Sequence, residues 1–157
     1  MAKRTIRVDE DPCLYKVCRP VEKFDGRLSE LIDDMFETMY DSDGAGLAGP
    51  QVGILRRVVV MDPGEEGKIE LVNPEITEAF GMEGAFEGCL SFPGQSGYVE
   101  RPDHVTIKGF DRAGKEKTYR LTGFAARCAQ HEVDHLNGVV YLTKAVDPPA
   151  GSDKEEE

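Results

Sequence analysis

From Leu28 the apolar residues fall at Leu28, Leu31, Ile32, Met35, Phe36 and Met39. This three-then-four spacing lays one stripe along a helix, which predicts an amphipathic helix over that stretch. It stops in Asp41-Ser42-Asp43-Gly44-Ala45-Gly46, where glycines and short polar side chains permit positive φ, and a tight loop with exposed backbone is expected next. The valine-rich Arg57 to Met61, Glu70 to Val72 running into Asn73-Pro74, and Val105 to Phe110 read as strands. Asp111-Arg112-Ala113-Gly114 then turns the chain into Glu116 to Leu121, completing a hairpin. Thr122 is placed to cap a second helix running to about Leu136, with Asn137-Gly138 as its stop. Val139 to Leu142 suggests a last short strand, and the segment before Leu28, with Asp11-Pro12 and Arg19-Pro20, suggests coil with a short turn.

These elements predict an α+β fold: a single compact domain, residues 1–146, with antiparallel strands packed around a central helix. Residues 147–157 are acidic and proline-broken, and a disordered tail is expected. Thirty acidic against nineteen basic residues give a formal net charge of −11, which argues against direct nucleic-acid binding and against anionic membranes. The apolar runs are far too short to span a bilayer, and Met1 to Arg7 lacks the apolar core of a signal peptide, so a cytoplasmic protein is expected; it is also expected to be a monomer. In that compartment Cys13, Cys18, Cys89 and Cys128 stay reduced, as buried hydrophobes, metal ligands or nucleophiles.

The second helix carries His131-Glu132-Val133-Asp134-His135. Residues four apart stack on one helix face, so both imidazoles reach one ion while Glu132 lies beside its water. A five-residue pattern recurs by chance, but only three histidines occur in the chain and two occupy this spacing; His104 reads as a surface residue. A catalytic ion of this kind needs a third protein ligand and one open position. Tyr141 stands where a third histidine of the metzincin pattern would fall, and no later helix offers a glutamate. Cys128 shares the helix face but lies about 10 Å along the axis from His135. Cys89, in Glu87-Gly88-Cys89-Leu90-Ser91, is the better third ligand, against the alternative of a small buried hydrophobe. The loop Gly44 to Gln51 is either a helix terminator or a peptide-binding edge whose Gln51 amide donates to a developing oxyanion.

Gly44-Ala45-Gly46-Leu47-Ala48-Gly49-Pro50-Gln51, Glu87-Gly88-Cys89-Leu90-Ser91 and Gln130-His131-Glu132-Val133-Asp134-His135 together resemble, in order, the three signature motifs of the peptide deformylase family. The resemblance extends from Asp11-Pro12 to about Leu142 and takes in Asp33 to Phe36 and Val99-Glu100-Arg101. It implies hydrolytic removal of the formyl group from the formyl-methionine of nascent chains, near the ribosome. It further implies a divalent ion on Cys89, His131 and His135, natively ferrous iron with zinc or nickel also accommodated. Glu132 would be the acid/base, with Gln51 and the Leu90 N–H meeting the oxyanion. Gly46 would pair with the substrate backbone, and Ala45, Phe124, Ala125 and Cys128 would line a methionine pocket. Three positions depart from the family pattern: Gly49 for a usual alanine, which should loosen the loop, Tyr15 for an arginine, and Arg127 at an often apolar site. The competing readings are an endopeptidase built on the same helix motif and a catalytically inactive metal- or peptide-binding module.

Overall fold

The computed structural model describes residues 2–150. The predicted amphipathic stripe forms helix α1 (Gly26–Asp41), started by Asp25, whose carboxylate accepts from the Leu28 N–H at 3.1 Å. Strands β1 (Gly46–Ala48), β2 (Val58–Met61) and β3 (Ile69–Phe80) follow, then the β4 (Glu83–Glu87) and β5 (Gly97–Arg101) pair. Strands β6 (His104–Phe110) and β7 (Glu116–Thr122) lead into helix α2 (Gly123–Leu136). A five-stranded antiparallel sheet has the order β1-β2-β3-β6-β7, and β4-β5 is a separate hairpin.

The continuous apolar run of β2 follows from burial on both faces. Val58 and Val60 join Leu47, Val52 and the α1 stripe in one core; Val59 and Met61 join Ala48, Leu71, Ile107 and Leu121 against Ala125, Ala126 and Ala129 of α2. The sheet is therefore filled by α1 on one side and α2 on the other, which seats α2 centrally. Small alanines on α2 permit this close approach.

Several expectations change. The Gly44 to Gln51 loop is not free: it contributes β1, paired to β2, and a 3-10 turn (Gly49–Val52). Gly49 does not loosen it. A Cβ there would lie 2.7 Å from the carbonyl oxygens of Ile54 and Arg56, so glycine lets this turn pack tightly. The strand at Glu70 to Val72 continues through Asn73-Pro74 to Phe80, because Asn73 takes φ 53° in a bulge and its side chain bonds both backbone groups of Val21. Thr122 occupies the cap position of α2 but makes no side-chain cap bond. Val139 to Leu142 is not a strand: a 3-10 turn (Tyr141–Lys144) forms, with Val140 and Tyr141 buried beside Leu14, Phe92 and Val99. The coil and short turn expected at the start contain a 3-10 turn (Pro12–Tyr15). Asp147 to Ala150 are exposed without helix or strand, and the rest of the expected tail lies outside the described residues. Among the described residues, no helix is long and apolar enough to cross a membrane.

Candidate active site

Helix α2 brings His131 and His135 onto one face, with ring centroids 5.0 Å apart. Cys89, just beyond the end of β4, comes against them, its Sγ 3.4 Å from His135 Nε2. One ligand atom from each of Cys89, His131 and His135 lies within 4.8 Å of the others. Their separations suit a single ion with a thiolate and two imidazoles in a tetrahedral shell. Cys128 stays out of this group; its Sγ lies 3.6 Å from the Ala45 carbonyl oxygen. Tyr141 is no ligand either: its ring lies against His131, and its hydroxyl donates to the Gln95 carbonyl at 3.1 Å. His104 stacks on Phe80 and contacts Asp103, away from the site.

Glu132 is 4% exposed, and its Oε1 has no hydrogen-bond partner. Burial pushes its carboxyl up to about 7, with the nearby Glu87 charge adding and His131 opposing. A carboxyl balanced near neutrality suits a group that takes and returns one proton. Gly46 faces it across the cleft: a Cβ there would meet Glu132 Oε2 at 2.5 Å and Cys128 Sγ at 2.9 Å. Any side chain there would have to displace the Glu132 carboxylate and the Cys128 thiol.

A cavity of ≈ 630 Å³ opens over Cys89, His131 and Glu132. Its lining includes Ala45, Gly46, Gln51, Cys89, Leu90, Phe124, Cys128, His131 and Glu132. Phe124, 58% exposed, stands at the solvent side, while Ala125 is buried in the α2 core. Gln51 is fixed from both ends: its Oε1 accepts from the Ala48 N–H at 2.9 Å, and its Nε2 donates to Ser91 Oγ at 3.1 Å. That amide nitrogen also lies 3.5 Å from Cys89 Sγ.

Behind the histidines lies a charged network that sequence reasoning left unassigned. Glu87 accepts from Arg101 Nε at 2.6 Å and Nη2 at 3.0 Å, and from Arg127 Nη1 at 2.6 Å; it also lies 3.0 Å from His131 Nδ1. Arg101 reaches on to Asp134 at 3.0 Å, which Lys144 also contacts. Burial alone would raise the Glu87 carboxyl, but the bonds from His131 and Arg101 hold it down at about 2. A carboxylate on Nδ1 fixes the ring and leaves Nε2 for an ion. Burial disfavours charge on His131, yet the neighbouring Cys89 and Glu87 raise its pKa, so this end of the site attracts positive charge. His135 is pushed well below its ordinary value, chiefly by burial, leaving a neutral imidazole; its Nδ1 is buried without a partner. Arg127 also donates to the Val99 carbonyl at 2.9 Å and the Glu83 carbonyl at 2.6 Å, sewing the β4-β5 hairpin to α2. The available signals were Glu87, two residues before the candidate cysteine, and an arginine inside an otherwise small-residue helix face.

The polypeptide deformylase family model matches residues 3–149. A peptide deformylase from Alkaliphilus metalliredigens is 53% identical over 146 residues, covering 93% of this chain and 99% of that protein. One from Halothermothrix orenii is 51% identical over 142 residues, covering 90% and 92%. The crystal structure of peptide deformylase from Thermotoga maritima superposes with a TM-score of 0.91 at 45% identity, covering 94% of this chain and 100% of that one. The Ehrlichia chaffeensis peptide deformylase in complex with actinonin gives 0.90 at 38% identity, covering 93% and 90%. Matched along nearly its whole length in sequence and in fold, this protein belongs to the peptide deformylase family of hydrolases.

Proposed function

We propose that this enzyme removes the N-formyl group from the formyl-methionine of nascent polypeptides, with Cys89, His131 and His135 holding a divalent metal ion. The observation that carries the reading is the buried, unpartnered Glu132 Oε1 in the cleft lined by Cys89 and His131, whose ligand atoms converge with that of His135. The donor set suits ferrous iron, and zinc or nickel fit the same ligands. Such an ion, when bound, polarises the formyl carbonyl and acidifies a water.

Each residue then has one task. Glu132 takes the proton of the attacking water and passes it to the nitrogen of the breaking C–N bond, so that formate leaves and a free amine remains. The Gln51 amide and the Leu90 N–H meet the negative charge growing on the formyl oxygen. Gly46, on the β1 edge, pairs with the peptide backbone, and the methionine side chain enters between Ala45, Phe124 and Cys128. Glu87 keeps His131 oriented.

Anaerobic incubation of the iron-loaded enzyme with formyl-Met-Ala-Ser, with formate assayed, tests the reading. Formate release from this peptide, absent with the acetyl analogue and with an unformylated folded protein, supports it. Cleavage of internal peptide bonds would support the endopeptidase alternative; no turnover with iron, nickel or cobalt would sink both.

A further inference from the structure

The two groups assigned to the oxyanion come from opposite sides of a seam. Gln51 sits in the 3-10 turn Gly49–Val52, whereas Leu90 precedes Ser91 in the loop after β4, and no strand pairing joins these segments. Inside the site the seam is closed by the Gln51 Nε2 to Ser91 Oγ bond at 3.1 Å. Outside, the N-terminal arm crosses it. The Arg7 N–H donates to the Gln51 carbonyl at 2.8 Å, and the Asp9 N–H donates to the Ser91 carbonyl at 2.9 Å.

The arm is held in place for this. Asp9 takes φ 56°, an uncommon conformation for a residue with a side chain, and its carbonyl accepts from the Tyr15 hydroxyl at 2.7 Å. The Asp11 N–H bonds back to the Val8 carbonyl at 3.1 Å. Upstream, the Ala2 N–H bonds Asp34 and the Arg4 N–H bonds Thr38, each at 2.8 Å, tying the arm to α1. Surface coil has no intrinsic reason to keep one strained turn; here both backbone groups of Asp9 are engaged.

Resting on the proposed function, we infer that residues 7–11 are a positioning strap for the oxyanion site. The N–H groups of Arg7 and Asp9 staple the Gln51 turn to the Ser91 loop and set the separation of the Gln51 amide and the Leu90 N–H. Neither Arg7 nor Asp9 lines the cleft. Their contribution falls on kcat, because the oxyanion bonds strengthen only as charge develops.

Arg7→Pro deletes the stapling N–H while suiting extended backbone before it, and Arg7→Ala keeps that N–H while removing the side chain. With metal-loaded enzyme, Arg7→Pro should lower kcat about tenfold, a partial loss of an oxyanion donor, with KM and metal content unchanged. Arg7→Ala should match the parent. Equal activity in both variants, or equal loss in both, would overturn the strap. If Arg7→Pro does not fold, Tyr15→Phe, which frees the Asp9 carbonyl, decides in the same assay: a smaller kcat loss supports the strap and none overturns it. Amide hydrogen exchange in the zinc-loaded parent separates this from the function itself. Protected Arg7 and Asp9 amides support the strap even if no formate is released; exchange at unfolded-chain rates overturns it even if formate is.

Discussion

Arg127→Met removes a buried cation while keeping an unbranched side chain of similar reach, and its cost follows from the hydrogen bonds that the guanidinium makes. There are three, to the Glu87 carboxylate and to the Val99 and Glu83 carbonyls. Glu87 retains Arg101 and His131, so it is not left as an unpaired buried charge. Two carbonyls deprived of a partner cost roughly 1 kcal/mol each, and removal of the charge-assisted bond adds a similar amount, giving about 3 kcal/mol. In a domain of this size that lowers Tm by roughly 6–12 °C. Thermal unfolding followed by circular dichroism, with urea unfolding at neutral pH, measures both quantities. Arg127→Lys, which keeps the charge but not the fork, should fall between. A drop of under roughly 2 °C for Arg127→Met would refute the reasoning, since bonds of this burial cannot be removed without cost on this scale.

Other outcomes follow from the same geometry. Burial would raise the Asp34 carboxyl, but the Ala2 N–H and Arg4 outweigh it and hold it below its ordinary 3.8. A depressed carboxyl stabilises the fold above the unfolded pKa and loses that contribution as pH falls through the folded value. The stability gap between parent and Asp34→Asn should therefore be full near neutrality and shrink on acidification below the ordinary value, measured by urea unfolding across pH. Cys89→Ser should weaken metal binding by more than roughly 100-fold, beyond the loss of an outer-shell partner, read by competition with a chromogenic chelator. Gln51→Leu should lower kcat by about 10² to 10³ with metal content intact, read by formate release.

How far the sequence revealed this molecule depends on the range of the interactions involved. The α1 stripe and the His131/His135 spacing are local helical periodicities, and both appear where the pattern placed them. The β4-β5 hairpin was missed because it lacks apolar alternation: Gly84 packs against the Tyr98 ring, and the hairpin is fastened by Arg127 from a helix some forty residues away. Val139 to Leu142 has strand-like composition, yet Val140 and Tyr141 fill a core from a 3-10 turn with no strand partner. Elimination along the chain singles out Cys89, and its ligand atom lies within 4.8 Å of those of His131 and His135. Glu87, Arg101, Arg127 and Asp134 could not be joined in advance, because each is an ordinary charged residue until folding removes water around it.

The central claim is that Glu132 moves the proton at a metal site built by Cys89, His131 and His135. Glu132→Gln keeps the shape and volume of the side chain and removes its proton-accepting capacity. Metal content by mass spectrometry, measured beside single-turnover formate release from a formyl-Met peptide, tests this directly. The account predicts one metal ion per chain in parent and variant alike, and a fall in the single-turnover rate of at least about 10²-fold, the scale of general acid/base catalysis. A Glu132→Gln enzyme that holds its metal and releases formate at the parental rate would contradict it.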